Sequence, residues 1–355
     1  MTDMALMNPE NIHRALRYRR YVLTPGQAGP SRMYNRAMAV NLDKPLQWKD
    51  DIAQSVDMYN DWFMKFAPKA FRETRIETTK SVESTLAITD NMRNIEPATL
   101  RQHPEVLSTL RMSTCPPIAV DRLIGLARVP GNLVRSMEND KRLPPQMSAA
   151  SVDTELKKIG AIIEKMADPD IFAWLGRKDG PTDAEIHRAA TIVADRLCGA
   201  VANPIIRNAQ EKRQLAAIKM WLEARGYKQA ASGSRYNSMA PGTFSFRMNV
   251  PVKLEGGEKT VNIPIDAVIK PKGSSTEELP VLVEAKSAGD FTNTNKRRKE
   301  EAVKMAQLRS NFGEGVRFNL FLCGYFDSGY LGYEAAEGID WVWEHRIDDL
   351  AHFGI

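Results

Sequence analysis

The strand-like segments of this chain are concentrated in its last third. Apolar patterns predict strands over residues 244–252, 260–269, 281–286 and 316–323. The segment 254–258 contains Gly256 and Gly257 and predicts a hairpin turn between the first two strands. Helices are predicted over 205–225, ending at Gly226, and over 295–312. This order favours a mixed α/β core of the α+β kind over residues 201–355.

The preceding 200 residues show helical periodicity instead. Apolar side chains recur on one face of Trp48–Lys65 and of Val152–Met166, and another helix is predicted over Asp183–Cys198. Many prolines between such segments predict short helices. A chain of 355 residues is long enough for two domains. We therefore expect a mostly helical region over residues 1–200, beginning with a basic arm of about 40 residues, ahead of the core.

Charge and cysteine content limit the classes of function. The formal net charge of +5 and the sequence pI of about 9.0 permit binding to nucleic acid. Cys115, Cys198 and Cys323 are far apart, which predicts neither a disulfide framework nor a zinc site. No apolar run is long enough to predict a membrane span, and no signal peptide is recognisable. We expect a protein of the reducing cytoplasm with no membrane partner.

Two neighbouring strands bring three charged residues to one edge of the predicted sheet. Asp266 ends the apolar segment that begins at Ile263, and Glu284-Ala285-Lys286 ends the next one. Because side chains alternate along a strand, Glu284 and Lys286 share a face and Ala285 takes the other. If the two strands pair, Asp266 joins them. Solvated strand-end charges are the alternative, although a buried apolar strand makes unused charges costly.

This arrangement suits hydrolysis of a phosphodiester. The carboxylates of Asp266 and Glu284 and the backbone carbonyl of Ala285 offer the hard oxygen ligands that Mg²⁺ prefers. A bound Mg²⁺ polarises the phosphate and lowers the pKa of a water molecule. Lys286 would orient that water or stabilise the negative charge of the transition state.

The helix predicted over 205–225 adds a further acidic candidate. Glu211 shares one helical face with the apolar residues Leu215, Ile218 and Leu222. A carboxylate on a face that packs against the core predicts a third acidic group at the metal site. The alternative is that Glu211 only favours the start of the helix through its dipole.

The helix predicted over 295–312 opens with four cations. They are Lys296, Arg297, Arg298 and Lys299. Cations at a helix start oppose the macrodipole, so a compensating anion is expected. A DNA phosphate would provide it, which predicts that these residues bind the DNA backbone. A solvated run of charges is the alternative.

These residues resemble the PD-(D/E)XK nuclease signature, with Pro264 near Asp266 and Glu284-Ala285-Lys286 following. Ile265 departs from the pattern, in which proline often directly precedes the aspartate. Longer stretches resemble the XamI-type family of type II restriction endonucleases; they lie at 110–117, 283–293, 296–301 and 338–344.

The resemblance implies a restriction-endonuclease-like fold, in which a mixed-sheet core is flanked by helices and preceded by the helical region. It implies a type II restriction endonuclease that cuts both strands of double-stranded DNA, with Mg²⁺ as cofactor and Mn²⁺ as a substitute. A homodimer, a cognate DNA methyltransferase and the palindrome GTCGAC are implied too. Asp266, Glu284 and Lys286 take the metal-binding and catalytic roles. We expect the helical region to serve DNA recognition, dimerisation or both.

Two rival functions remain open from the sequence. A repair or recombination nuclease could use the same core, and would cut according to DNA structure rather than at one short sequence. A catalytically inactive DNA-binding protein could also keep this core, although the complete set of Asp266, Glu284 and Lys286 argues against it.

Overall fold

The computed structural model describes residues 39–253, 259–275 and 277–355. It divides into two compact units. The helical unit comprises residues 65–207, and the sheet unit comprises the described residues up to 64 and from 208 onwards. The division predicted after residue 200 differs from this, because a segment near the N-terminus belongs to the sheet unit. Residues 1–38, which make up nearly all of the predicted basic arm of about 40 residues, and the hairpin turn at 254–258 lie outside the described residues.

The helical unit is built around one apolar core. Among its largest fully buried side chains are Leu107, Phe172 and Trp174. Ser148 caps one of its helices by accepting the N–H of Ser151 at 3.3 Å. The helices of residues 48–224 are α1 Trp48–Ile88, α2 Pro97–Gln102, α3 Leu107–Met112, α4 Val120–Ala127, α5 Gly131–Asp140, α6 Ala149–Met166 and α7 Asp183–Ala224.

Helix α7 is longer than predicted, because it continues through Pro204. The sequence pattern predicted two helices separated at this proline. Proline inside a helix costs about 3 kcal/mol. Burial on both sides offsets that cost, since Val193 lies in the core of the helical unit and Ile218 lies in the core of the sheet unit. By length and composition alone, α7 is also long and apolar enough to cross a membrane.

The sheet unit contains a six-stranded mixed sheet in sequence order. Strand β1 is parallel to β2, the β2–β3 and β3–β4 pairs are antiparallel, and β4, β5 and β6 run parallel. This confirms the predicted restriction-endonuclease-like α+β core, with each predicted strand in place. The elements are β1 Lys228–Gln229, β2 Thr243–Lys253, β3 Thr260–Lys270, β4 Val281–Ala288, α8 Phe291–Phe312, β5 Arg317–Gly324, α9 Ser328–Glu337 and β6 Asp340–Trp343.

Helices cover both faces of this sheet. Val283 of β4 and Phe321 of β5 lie in one apolar cluster with Ile218 of α7. Leu282 of β4 lies in the opposite cluster, together with Leu308 of α8. The alternation along β4 therefore gives each face of the strand its own helix, as side chains of period two require.

The segment before α1 is fastened to β6 by one buried carboxylate. Asp340 accepts the backbone N–H groups of Val40 at 2.6 Å, Asn41 at 2.9 Å, Leu42 at 3.1 Å and Trp341 at 2.8 Å. Burial raises the pKa of Asp340, while these hydrogen bonds oppose the shift. The sheet unit is therefore assembled from both ends of the described chain.

We predict that Asp340→Ala lowers the free energy of unfolding by roughly 3 kcal/mol, because it leaves several buried N–H groups without an acceptor. Urea unfolding monitored by tryptophan fluorescence measures the change. The exposed neighbour Asp43 provides the control, and Asp43→Ala should stay within about 0.5 kcal/mol of the natural protein. Equal stability of the two variants would show that the fastening contributes nothing.

Candidate active site

Asp266 and Glu284 lie opposite each other where β3 and β4 separate. The strands pair at Ile269–Val281, Val268–Leu282 and Ala267–Val283, and the pairing stops there. The next position in register holds the two carboxylates. Oδ2 of Asp266 accepts the N–H of Ala285 at 2.9 Å. At this point a side-chain carboxylate takes the place of the backbone carbonyl that accepts an N–H in a continuous β-ladder. The structure brings the two predicted ligands together at the mouth of an opening in the sheet.

Lys286 is held between two carboxylates on the face covered by α8. Its Nζ lies 3.2 Å from Oε1 of Glu284 and 2.8 Å from Oε1 of Glu301. Nζ of Lys304 lies 2.6 Å from the same oxygen of Glu284. The side chain of Glu284 is only 8% exposed, so these ion pairs are screened little by solvent.

The electrostatics of the site favour a bound cation. Burial raises the pKa of Asp266 to about 6, the nearby carboxylate of Glu284 adds to the shift, and the N–H of Ala285 opposes it. Burial disfavours the ammonium of Lys286, but Glu284 and Glu301 outweigh this and raise its pKa above the ordinary value. The two carboxylates therefore favour the charged form of Lys286.

Two residues of this cluster were not among the predicted site residues. Glu301 is fully buried, and Lys304 forms the shortest ion pair to Glu284 in the cluster. Both lie on the face of α8 that carries Met305 and Leu308 into the core. A charged residue at helical spacing with apolar ones was the available signal, the same one that selected Glu211.

A further buried carboxylate lies behind Glu301. Glu334 of α9 is fully buried. Burial raises its pKa to about 8, the carboxylate of Glu301 adds to the shift, and a hydrogen bond from Tyr330 opposes it. Glu334 is therefore mainly protonated at neutral pH, which lowers the negative charge next to Glu301.

Glu211 lies in the middle of α7 and not near a helix start. Because α7 begins at Asp183, the alternative reading through the helix dipole does not apply. The carboxylate of Glu211 adds to the rise in the pKa of Asp266, but it is itself paired with Arg247, whose Nη2 lies 2.8 Å away. Its role as a third acidic group at the metal site stays a prediction.

The predicted DNA-binding cations do not occupy the first turn of their helix. Helix α8 begins at Phe291, and Oδ1 of Asp290 accepts the N–H of Thr292 at 2.9 Å in the manner of an N-cap. The helix start expected at Asn295 was therefore wrong, and the argument from the macrodipole no longer applies. Lys299 is exposed, whereas the side chains of residues 295–298, which include Lys296, Arg297 and Arg298, lie outside the described residues.

The donor set suits a hard divalent cation. Oε2 of Glu284 is buried and has no hydrogen-bond partner within the described part of the chain. Such an orphaned carboxylate oxygen facing a second carboxylate is a feature that a metal ion would satisfy. Within residues 39–253, 259–275 and 277–355, however, no group of three or more His, Cys, Asp or Glu side chains is arranged to hold a metal. Asp266 and Glu284 thus stay candidate ligands, and the described side chains do not complete a set around them.

Comparison with known proteins gives two clear matches. The sequence model of the XamI restriction endonuclease family matches residues 90–343. The Type II restriction enzyme SalI of Streptomyces albus G is 54% identical over 317 residues, which cover 89% of this chain and 99% of that enzyme. The family match includes Asp266, Glu284 and Lys286.

A solved structure, protein VC1899 from Vibrio cholerae, covers 72% of this chain and 55% of its own at 13% identity. The TM-score of 0.27 is too low to relate the two folds.

We predict that Glu334→Gln stabilises the protein increasingly as the pH rises. A carboxyl group whose pKa is raised in the folded state binds its proton more tightly there, so stability falls between about pH 4.5 and pH 8 and is lowest above that window. Glutamine does not ionise and removes this loss. At pH 9 the gain should be on the order of a few kcal/mol.

Melting temperatures at pH 5, 7 and 9 measure the effect. The exposed Glu314 provides the control, and Glu314→Gln should show no dependence of this kind. A difference between Glu334→Gln and the natural protein that is the same at all three pH values would contradict the prediction.

Proposed function

Because the chain belongs to the XamI restriction endonuclease family, we propose that it cleaves DNA at the cluster formed by Asp266, Glu284 and Lys286. Membership makes it a type II restriction endonuclease, a hydrolase that cuts double-stranded DNA at specific sequences. A match to these enzymes over most of the chain disfavours the alternatives of a repair or recombination nuclease and an inactive DNA-binding protein.

One observation supports this location more than any other. Asp266 and Glu284 occupy opposite positions where β3 and β4 separate, and Lys286 follows on the same face of β4. A buried and a half-buried carboxylate beside a charged lysine suit metal-assisted hydrolysis of a phosphodiester. The opening between the strands supplies the access that a buried site needs.

Type II restriction enzymes generally use a divalent metal ion, and we propose Mg²⁺ here, with Mn²⁺ as a substitute. The carboxylates of Asp266 and Glu284 and the carbonyl oxygen of Ala285 are the proposed ligands, with Glu211 as a further acidic group. When bound, such an ion polarises the scissile phosphate and activates a water molecule.

The lysines and Glu301 prepare the site for the charge of the substrate. Lys286 stabilises the negative charge that develops on the phosphate during attack. Glu301 holds Lys286 by its ion pair and keeps the ammonium in place on β4. Lys304 neutralises Glu284 in the absence of other cations, so the buried carboxylate is paired before a substrate arrives.

We also propose how the enzyme recognises DNA and assembles. Lys296, Arg297, Arg298 and Lys299 would contact the DNA backbone, now on the grounds of their charge alone. The helical region of residues 1–200 would contribute recognition or dimer contacts. We also propose GTCGAC as the recognised palindrome, a cognate DNA methyltransferase as the functional partner, and a cytoplasmic location.

We predict that Asp266→Ala, Glu284→Ala and Lys286→Ala each lower the cleavage rate by about 10³-fold or more, since each removes a proposed metal ligand or the stabilising cation. The assay is digestion of a plasmid with one GTCGAC site in Mg²⁺, with excess EDTA as the metal-free arm. Lys286→Ala should still bind the duplex.

Lys219, a half-exposed lysine on α7, is the matched control for charge removal. Lys219→Ala should cut at the natural rate. Full cleavage in EDTA would show that the reaction needs no metal ion. A Lys286→Ala enzyme that cuts at a near-normal rate would show that the cluster has only a structural role. Cleavage at another sequence would overturn GTCGAC and leave the site intact.

We predict two chains on each cognate duplex. A palindrome has two-fold symmetry, and the sequence holds one Asp-Glu-Lys set with no internal repeat, so cutting both strands needs a second copy. Sedimentation of the Lys286→Ala variant with a cognate duplex measures the stoichiometry. One chain per duplex together with double-strand cleavage in a single encounter would contradict the symmetric homodimer.

A further inference from the structure

Arg247 has an unusual backbone conformation beside the active site. Its φ angle is +52°, in the left-handed region, although it lies within strand β2. The paired positions on either side are Phe246–Ala267 and Met248–Ile265, so Arg247 stands opposite Asp266 in the register. The left-handed residues Arg128 and Lys141, by contrast, end helices, where this conformation is common. A bulky residue held this way inside a strand points to a functional constraint.

The side chain of Arg247 is directed to Glu211. Its Nε and Nη2 lie 3.1 Å and 2.8 Å from one oxygen of that carboxylate. The Arg247 side chain is 59% exposed, and an ion pair so open to solvent contributes little stability. In the strand register, Arg247, Asp266 and Glu284 form one row across β2, β3 and β4, with Arg247 at its end. Because the ion pair of Arg247 with Glu211 is weak, Arg247 can readily exchange this partner.

A polar cleft of about 750 Å³ opens at Arg247. Its walls are the segment that follows β1 and the outer part of the β2–β3 hairpin. Side chains with donors and acceptors are frequent among its lining residues, including Gln229, Arg235, Asn237, Arg247, Asn249 and Asn262. The amide and guanidinium groups that line the cleft can form hydrogen bonds with the phosphates and base edges of a nucleic acid strand.

We propose that this cleft receives the DNA strand to be cut and that Arg247 exchanges Glu211 for a backbone phosphate of that strand. The inference rests on the proposed function, because it takes DNA as the ligand of the neighbouring site. A phosphate accepts both arms of the guanidinium fork, whereas Glu211 engages it through a single oxygen. The exchange would free the carboxylate of Glu211 beside Asp266, so DNA binding would add negative charge where a cation is needed.

Binding of a fluorescent duplex in EDTA tests the contact without cleavage. Arg247→Gly should lower the affinity for a GTCGAC duplex and for a scrambled duplex alike, by about tenfold each. The slope of log affinity against log salt should become shallower by about 0.9. Glycine adopts a positive φ without strain, so this variant should melt no lower than Arg247→Ala, which keeps the strained backbone.

Arg225→Ala is the matched control. Arg225 is also an exposed arginine paired with one carboxylate oxygen, at 2.8 Å from Oδ1 of Asp348, and it lies just past the C-terminal end of α7. Its loss should leave both affinity and salt slope unchanged. If Arg247→Gly behaves like Arg225→Ala, Arg247 does not contact phosphate and the inference fails.

The exchange itself is tested by a double-mutant cycle. Glu211→Gln removes the competing carboxylate and should raise affinity in EDTA several-fold, and this gain should vanish in the Arg247→Gly background. A gain that persists without Arg247 would overturn the exchange. A natural protein that cuts its plasmid while all Arg247 variants bind normally would defeat only this inference, whereas a natural protein that neither binds nor cuts DNA would defeat the proposed function.

Discussion

The hydrogen bond from the N–H of Ala285 to Asp266 is the contact on which the site depends. It lies where the β3–β4 ladder stops and gives the strands a defined way to separate. Without the separation, Asp266 and Glu284 would be an ordinary cross-strand pair of like charges, which is destabilising. With it, both carboxylates border an opening, and β4 continues alongside β5 to position Lys286. One backbone donor thus links sheet topology to the placement of Asp266, Glu284 and Lys286.

The buried charges around this opening do not balance. Asp266, Glu284, Glu301 and Glu334 face two ammonium groups, those of Lys286 and Lys304. The raised pKa of Glu334 keeps one of the four neutral near pH 7, which leaves one uncompensated negative charge. Burying such a charge is costly unless a cation arrives. This surplus of negative charge supports the metal site proposed at Asp266 and Glu284.

Local patterns were enough to predict the strands, the two-residue spacing of Glu284 and Lys286, and their shared face. Contacts that depend on distant residues were not predictable in the same way. Glu301 and Lys304 belong to the site because α8 packs on β4, and no spacing in the sequence states which helix covers which strand. The predicted helix ends were wrong for a related reason: burial carries α7 through Pro204, and α8, capped by Asp290, begins four residues before the expected start.

The fastening of Val40, Asn41 and Leu42 to Asp340 joins positions about 300 residues apart. During synthesis the early segment is complete long before its acceptor exists. At roughly 5–20 residues per second, the ribosome needs about 15–60 s to cover that distance. The sheet unit can therefore close only after Asp340 has been synthesised, and its folding depends on a contact of long sequence separation, which forms slowly.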